Sequence, residues 1–270
     1  MIPEYLMLET QVSNCIAEAQ VNGVPICRVG ADGATLDSRP VNHFVLPGSN
    51  TFTLVAQPGA TPRTALTPNA IDSKAKENMS ASLRLISVPP GSFPDDPAAR
   101  EMLSVSWTPK PAQPYRAPVL LSGQLEFPKH LPAWSWTNAV SLRSEAALES
   151  IGAMIGELLE SFSRGDPELF ITRSNLRFAE VSAAFDTSID DDVRRFREQF
   201  QRISSEPGFE MHPIDAETMD LRICADGKLV ECLDRAWEPL LRSNRLGNGI
   251  TRLRYPIKVA DIGGRLEIVR

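Results

Sequence analysis

Leu46-Pro47-Gly48-Ser49-Asn50-Thr51-Phe52-Thr53-Leu54-Val55-Ala56 decides the fold of the first half of the chain. Pro47-Gly48-Ser49-Asn50 is turn chemistry: proline presets φ, glycine accepts positive φ, and Ser and Asn side chains bond their own backbone. From Thr51 the pattern switches to period two, placing Phe52, Leu54 and Ala56 on one face of a strand. Working outward, Ser82–Val88, Leu103–Trp107 and Val119–Leu125 alternate in the same way. Upstream, Ile16–Val21 and Val24–Val29 flank Asn22-Gly23, a pair that favours a type I′ turn because both central residues must take positive φ. This makes residues 15–29 a hairpin, with Pro25 confined to an edge or a strand start. Residues 57–81, 89–100 and 108–118 read as long loops. Short strands without a helix through residue 127 predict an antiparallel β-sandwich.

The period changes after Trp136. Ser144 is placed to cap a helix whose Ala147, Leu148, Ile151, Ile155, Leu158, Leu159 and Phe162 form one apolar stripe. Asp166-Pro167 starts a second helical segment that runs toward Phe185. Ser188, followed by Asp190, Asp191 and Asp192, opens a third, with Val193, Phe196, Phe200 and Ile203 at helical spacing and Pro207-Gly208 as its stop. Strands are predicted at Phe209–Ile214, Met219–Ala225, Leu229–Leu233, Thr251–Ala260 and Arg265–Val269, and a short helix at Trp237–Leu241. Helices followed by antiparallel strands predict an α+β domain. The expected organisation is therefore a β-sandwich at 1–130, a linker at 131–135 and an α+β domain at 136–270.

Composition supports the split. Seventeen of the 22 prolines precede residue 136. Of the net charge of −6 over 270 residues, nearly all belongs to the second half, which has 18 basic against 23 acidic residues. An acidic chain of pI near 5.3 argues against nucleic-acid or anionic-membrane partners, which need clustered Lys and Arg. The basic runs Arg194-Arg195-x-Arg197 and Arg252-x-Arg254 sit beside acids and read as solvated faces. No stretch approaches the roughly 20 apolar residues of a membrane span, and Met1–Tyr5 lacks a secretory n-region, so a cytoplasmic location is expected. Cys15, Cys27, Cys224 and Cys232 include no CxxC spacing. Cys224 and Cys232 flank Asp226-Gly227 as if facing across a hairpin, which leaves a disulfide geometrically possible. Buried free thiols are the expectation in a reducing compartment.

Two resemblances accompany these patterns. Val21-Asn22-Gly23 with Leu46–Val55 resembles the turn-and-strand rhythm of jelly-roll or immunoglobulin-like accessory modules of sugar-processing enzymes, which implies a sandwich and carbohydrate binding. The tail Ile257–Arg270, after its helices, resembles the last hairpin of the α+β cone of ketosteroid isomerases and scytalone dehydratase. That resemblance implies a cavity between helices and a curved sheet, but no catalytic residue can be matched to it.

Three histidines, His43, His130 and His212, form no HExxH, and no GxSxG elbow exists. His212-Pro213-Ile214-Asp215 is the one pair of acid–base type. On a strand, residues three apart face opposite ways, so His212 and Asp215 meet only if Pro213 breaks the strand. Asp190–Asp192 is explained by the helix macrodipole rather than a metal. Gly30-Ala31-Asp32-Gly33 and Gly247-Asn248-Gly249 read as turns. Trp134 and Trp136 would share a face if extended, fit either to plug the junction of the domains or, with Trp107, to contact a ligand or partner. No cofactor and no metal are expected. The leading expectation is a non-enzymatic bacterial-type protein that binds another protein, as an adaptor or toxin-neutralising protein would. An isomerase- or hydratase-like enzyme, or a small-molecule binder, using a C-terminal cavity is the alternative, and a carbohydrate-binding module the third.

Overall fold

A computed structural model describes residues 4–30, 35–57, 71–74, 78–110, 114–215, 217–244 and 253–270. The chain divides into two compact units, Met1–Ala133 and Trp134–Arg270. The first is a β-sandwich of strands β1 (Tyr5–Ser13), β2 (Ile16–Val21), β3 (Val24–Val29), β4 (Leu36–Pro40), β5 (Gly48–Gln57), β6 (Ile71–Lys74), β7 (Ser80–Val88), β8 (Arg100–Trp107), β9 (Pro114–Ala117) and β10 (Val119–Phe127). Two four-stranded sheets, ordered β4-β1-β7-β8 and β10-β5-β2-β3, stack so that β8 lies beside β10 and β4 beside β3. Every pairing in them is antiparallel. Leu8, Val21, Phe52, Leu54, Leu83 and Leu85 are fully buried between the sheets, on the alternating faces their strands dictate.

The turns that marked the fold are joined to each other. Asn22 and Gly23 take φ of 53° and 73°, as a type I′ turn requires. The Asn22 side chain donates to Phe44 O (3.1 Å) and Asn50 Oδ1 (2.8 Å) and accepts from Thr51 N (3.0 Å). Asn50, wholly buried, accepts from Leu46 N (2.7 Å) and donates to Leu46 O (2.8 Å) and Gly48 O (2.9 Å). Both asparagines are thus spent on binding the β2–β3 turn to the β5 turn. Pro25 sits in the edge strand β3, opposite a bulge at Ala19/Gln20 that absorbs its missing donor.

Two expected loops contain strands. β6 and β9, within 57–81 and 108–118, pair with each other over Ile71–Lys74 and Pro114–Ala117. Each segment satisfies the other's backbone, which no reading of either alone could supply.

The second unit carries α1 (Glu145–Ser163), α2 (Glu168–Arg173), α3 (Asn175–Phe185), α4 (Ile189–Ser204), β11 (Met219–Cys224), β12 (Leu229–Asp234), β13 (Leu241–Arg242), β14 (Arg254–Tyr255), β15 (Lys258–Ile262) and β16 (Arg265–Ile268). β11-β12-β15-β16 form an antiparallel meander, and β13-β14 a short ribbon. Ser144 accepts from Ala147 N (3.2 Å) and Ser188 from Asp191 N (3.3 Å), capping α1 and α4. The α1 stripe of Ile151, Ile155, Leu158 and Phe162 is buried and packs with Val230, Val259 and Ile268 of the sheet.

Other expectations are corrected here. The segment toward Phe185 is two helices, interrupted at Ser174. Phe209–Ile214 is irregular, making one bridge at Met211–Ser243, because Pro213 offers no N–H to a ladder. Trp237–Leu241 is not a helix. Trp237 has φ of 65°, in a turn that Asp234 Oδ1 holds by accepting from Ala236 N (2.8 Å) and Glu238 N (3.0 Å). The stretch 253–260 is two strands divided at Pro256, and residues 251–252 lie outside the described residues. All four cysteines are free and buried. In the β11–β12 register Cys232 opposes Leu221 and Cys224 opposes Leu229. The two thiols are therefore three positions out of register and on opposite faces, which removes the disulfide.

Candidate functional site

The two long edges of the sandwich differ. On β3, the inner-face residues Val24, Cys27 and Val29 are buried. Alongside, β4 places Arg39 and Asp37 opposite Leu8 and Thr10, in the register of the inner face, and the pair bonds at 2.9 Å. Charges at inward positions of an edge strand discourage another strand from adding there. Burial pushes the Cys27 thiol up to about 11, with Asp37 and Arg39 acting on it from β4.

The β8–β10 edge has no such pair. Register places Leu103, Val105 and Trp107 of β8 opposite the buried Leu85, Leu83 and Ala81. It likewise places Val119, Leu121 and Gly123 of β10 opposite Ala56, Leu54 and Phe52. These inner-face side chains on β8 and β10, with Leu125, are only half-buried, so some apolar surface meets solvent along the seam where the two edge strands meet. Among the described residues, β8 pairs with β7 alone and β10 with β5 alone, leaving one backbone edge of each unpaired. Gly123 lets the strands approach: a Cβ there would lie 2.6 Å from Leu103 Cδ1.

In the second unit, a cleft of roughly 420 Å³ is lined by His212, Asp215, Thr218, Asp234, Arg235 and Arg242, among others. Asp234 and Arg242, both buried, bond at 2.7 Å, and Arg242 Nη1 donates to Pro239 O (2.8 Å). His212 is held by its N–H on Arg242 O (2.8 Å) and by Nδ1 against Asn244 Oδ1 (3.1 Å). With Asn244 Oδ1 as acceptor, Nδ1 carries a proton, so in the neutral ring Nε2 is the nitrogen with the lone pair. Asp215 opens a turn, its Oδ1 accepting from Glu217 N (2.9 Å). Because the segment is not a strand, His212 and Asp215 do line one cleft. Asp234 and Arg242, the ion pair beside them, carried no sequence signal: each is ordinary in its own segment.

Among the described residues, an aromatic cluster packs the helices of this unit together with Tyr255. Phe162 packs on Phe200 (centroids 4.6 Å apart), Phe170 (5.4 Å) and Tyr255 (5.3 Å), and Phe170 stacks on Phe196 (5.0 Å). Burial raises the Tyr255 hydroxyl to about 12. Trp134 and Trp136 are 4% and 3% exposed, and Trp107 is half-buried on the β8 edge. His43 lies against the Phe44 ring, and His130 is exposed. Asp190, Asp191 and Asp192 occupy the first turn of α4, where Asp191 pairs with Arg194 (2.6 Å) and Asp192 with Arg195 (2.8 Å). Gly30 has φ of 98°, while residues 31–34 and 247–249 lie outside the described residues. Among the described residues, no three His, Cys, Asp or Glu side chains converge as a metal site needs, and no helix is long and apolar enough to cross a membrane. Comparisons of the chain with family models, with curated proteins and with solved structures find no match.

Proposed function

We propose that this acidic chain is a cytoplasmic, bacterial-type protein-binding module whose sandwich receives an extended segment of a partner polypeptide along the β8–β10 edge. The observation behind this is the contrast between the edges. One is sealed by buried side chains and the Asp37–Arg39 pair; the other leaves Leu103, Val105, Leu121 and Leu125 half-buried on strands that, among the described residues, each pair with one neighbour. A strand added there gains main-chain hydrogen bonds and can insert alternate side chains into the gap. Peptides selected from a random library against the whole protein should alternate apolar residues and lack proline. They should protect β8 and β10 amides from hydrogen exchange. Val105→Lys should abolish capture while circular dichroism shows the fold intact; His212→Ala, in the other unit, should leave it unchanged. Selection of no peptides, or peptides that bind folded Val105→Lys as well as wild type, would overturn the proposal.

A second reading rests on the cleft. His212 and Asp215 line it together, and the Asn244 contact leaves His212 Nε2 as a proton acceptor. The volume suits a small polar molecule, bound or turned over by proton transfer. Fragment screening by NMR should give hits that perturb the His212 ring signals and vanish in His212→Ala. Hits that persist in that variant would refute it.

A further inference from the structure

The two sandwich sheets end in four strands, and three of them carry devices that stop another strand from adding. β4 is five residues long and holds Asp37 and Arg39. In β3, Ala19 faces Cys27 while Gln20 faces Pro25, so Ile26 is an extra, bulged residue beside a proline. β8 is bulged too: Leu85 faces Leu103 and Ile86 faces Glu101, which leaves Met102 without an opposite residue. Its start is charged, with Arg100 followed by Glu101, the latter bonded to Arg84 at 2.7 Å.

β10 has none of these. Val119 to Phe127 face Ala56 to Gly48 one for one, with no bulge. Among the described residues it pairs with β5 alone. From Val119 to Leu125 it carries no charge and no proline, in a chain in which 23% of residues are charged. Leu120, Ser122 and Gln124 are exposed on its outer face, Leu120 to 63%, and Ser122 Oγ bonds Thr53 Oγ1 at 2.9 Å. Val119, Leu121 and Leu125 are half-buried on the inner face. An unbulged, uncharged strand with an exposed leucine at a sheet edge is a template for further pairing.

We infer that the segment this edge receives is β10 of a second copy of the chain, running antiparallel about a two-fold axis at Ser122. The inference rests on the reading of the edge as a strand acceptor and names its occupant. The strand's own sequence carries the choice. About that centre, Val119 faces Leu125 of the second copy, Leu120 faces Gln124, Leu121 faces Gly123 and Ser122 faces its own copy. Every pair joins residues of one face, as antiparallel opposition demands, so the half-buried inner residues meet one another. No like charges meet. The first charge outward, Glu126, falls opposite Pro118, which has no N–H to leave unpaired. Centring on Gly123 would set Glu126 against the exposed Leu120, and centring on Leu121 would draw Pro118 into the ladder opposite Gln124. Two β10-β5-β2-β3 sheets then join into one, a closed isologous dimer in which neither β10 remains an edge.

Light scattering on the full chain over a concentration series should give a mass rising toward twice 29.7 kDa. Ser122→Lys, at an exposed position that spares the fold, sets like charges face to face on the axis and should return the mass to that of one chain. Ser122→Cys should cross-link to a disulfide dimer under mild oxidation, since directly opposite residues of antiparallel strands lie about 4.5–5.5 Å apart at Cα. Gln124→Cys, also exposed but opposite Leu120, should stay uncross-linked alone and should form dimers when mixed with Leu120→Cys. The native cysteines are buried and give no background. A single-chain mass at every concentration, a dimer that Ser122→Lys leaves intact, or equal cross-linking of Ser122→Cys and Gln124→Cys alone overturns the proposal. Monomers that still select alternating peptides refute only the second copy as occupant, while monomers that select none remove the strand-accepting edge as well.

Discussion

Replacing Asn50 by alanine tests whether the Gly-x-Asn motif is architecture. The side chain makes four hydrogen bonds: to Leu46 N, Leu46 O, Gly48 O and Asn22 Nδ2. Alanine strands all four partners in a site where Asn50 itself has no solvent exposure. A typical net contribution of about 0.5–1.5 kcal/mol per bond gives a loss of about 2–6 kcal/mol, a large part of a domain's stability. Asn50→Asp should fare no better. It keeps the two acceptor contacts but turns a carboxylate oxygen toward the Leu46 and Gly48 carbonyls, exchanging two bonds for repulsion. The assay is urea unfolding of the full chain, with hydrogen exchange on 16–29 and 44–56 to place the loss in the sandwich. Asn22→Ala completes a double-mutant cycle, in which the shared bond predicts a coupling of at least about 0.5 kcal/mol. A loss under about 1 kcal/mol for Asn50→Ala, or strict additivity with Asn22→Ala, would refute the idea that these turns clamp each other.

Three further outcomes follow from the second unit. Phe162→Ala should destabilise it by about 3–5 kcal/mol in urea unfolding, since its ring touches Phe170, Phe200 and Tyr255 with no solvent exposure. Burial alone would raise the Asp192 carboxyl, but hydrogen bonds from Thr187 and Ser182 and the Arg195 charge hold it below its ordinary value. Its stabilisation is therefore present above the unfolded value of about 4 and lost as pH falls through the folded one. Asp192→Asn should cost about 1–2 kcal/mol at pH 7, and the two unfolding curves should converge near the acid end. Mild oxidation of the folded protein should form no Cys224–Cys232 bridge, as a mass shift of two hydrogens lost would reveal, because the register holds the thiols on opposite faces.

How far the fold was legible depended on whether the deciding contact was local. Asn22-Gly23 and Ser144 announced a turn and a cap because their partners lie within a few residues. β1 went unread although it is central to its sheet. Its buried set is Leu6, Leu8, Thr10 and Val12, but Tyr5 and Met7 blur the alternation and Thr10 is a polar residue inside. Phe209–Ile214 and Trp237–Leu241 were misassigned for a different reason. Apolar runs suggested regular elements, whereas a proline in one and the Asp234 side chain at the head of the other impose irregular backbone. Of the sites, His212 and Asp215 were visible as a motif, but their sharing a cleft depends on that irregularity.

The same limit explains why alternation could not locate the sandwich's exposed seam. Leu103-x-Val105-x-Trp107 and Phe52-x-Leu54-x-Ala56 share one pattern, yet one set is half-buried and the other fully enclosed. Which strand ends a sheet is a property of pairing, not of the strand. Exposed apolar edges are a hazard that a single inward charge would blunt. This chain carries that device on β4, in Asp37 and Arg39, and omits it on β8 and β10. A sandwich merely tolerating its edges would gain solubility from a lysine at Val105 or Leu121, positions that are already partly exposed. Leaving both aliphatic preserves, among the described residues, an apolar seam on two strands that each pair with one neighbour, and this contrast with β4 supports the proposal that a partner strand docks there.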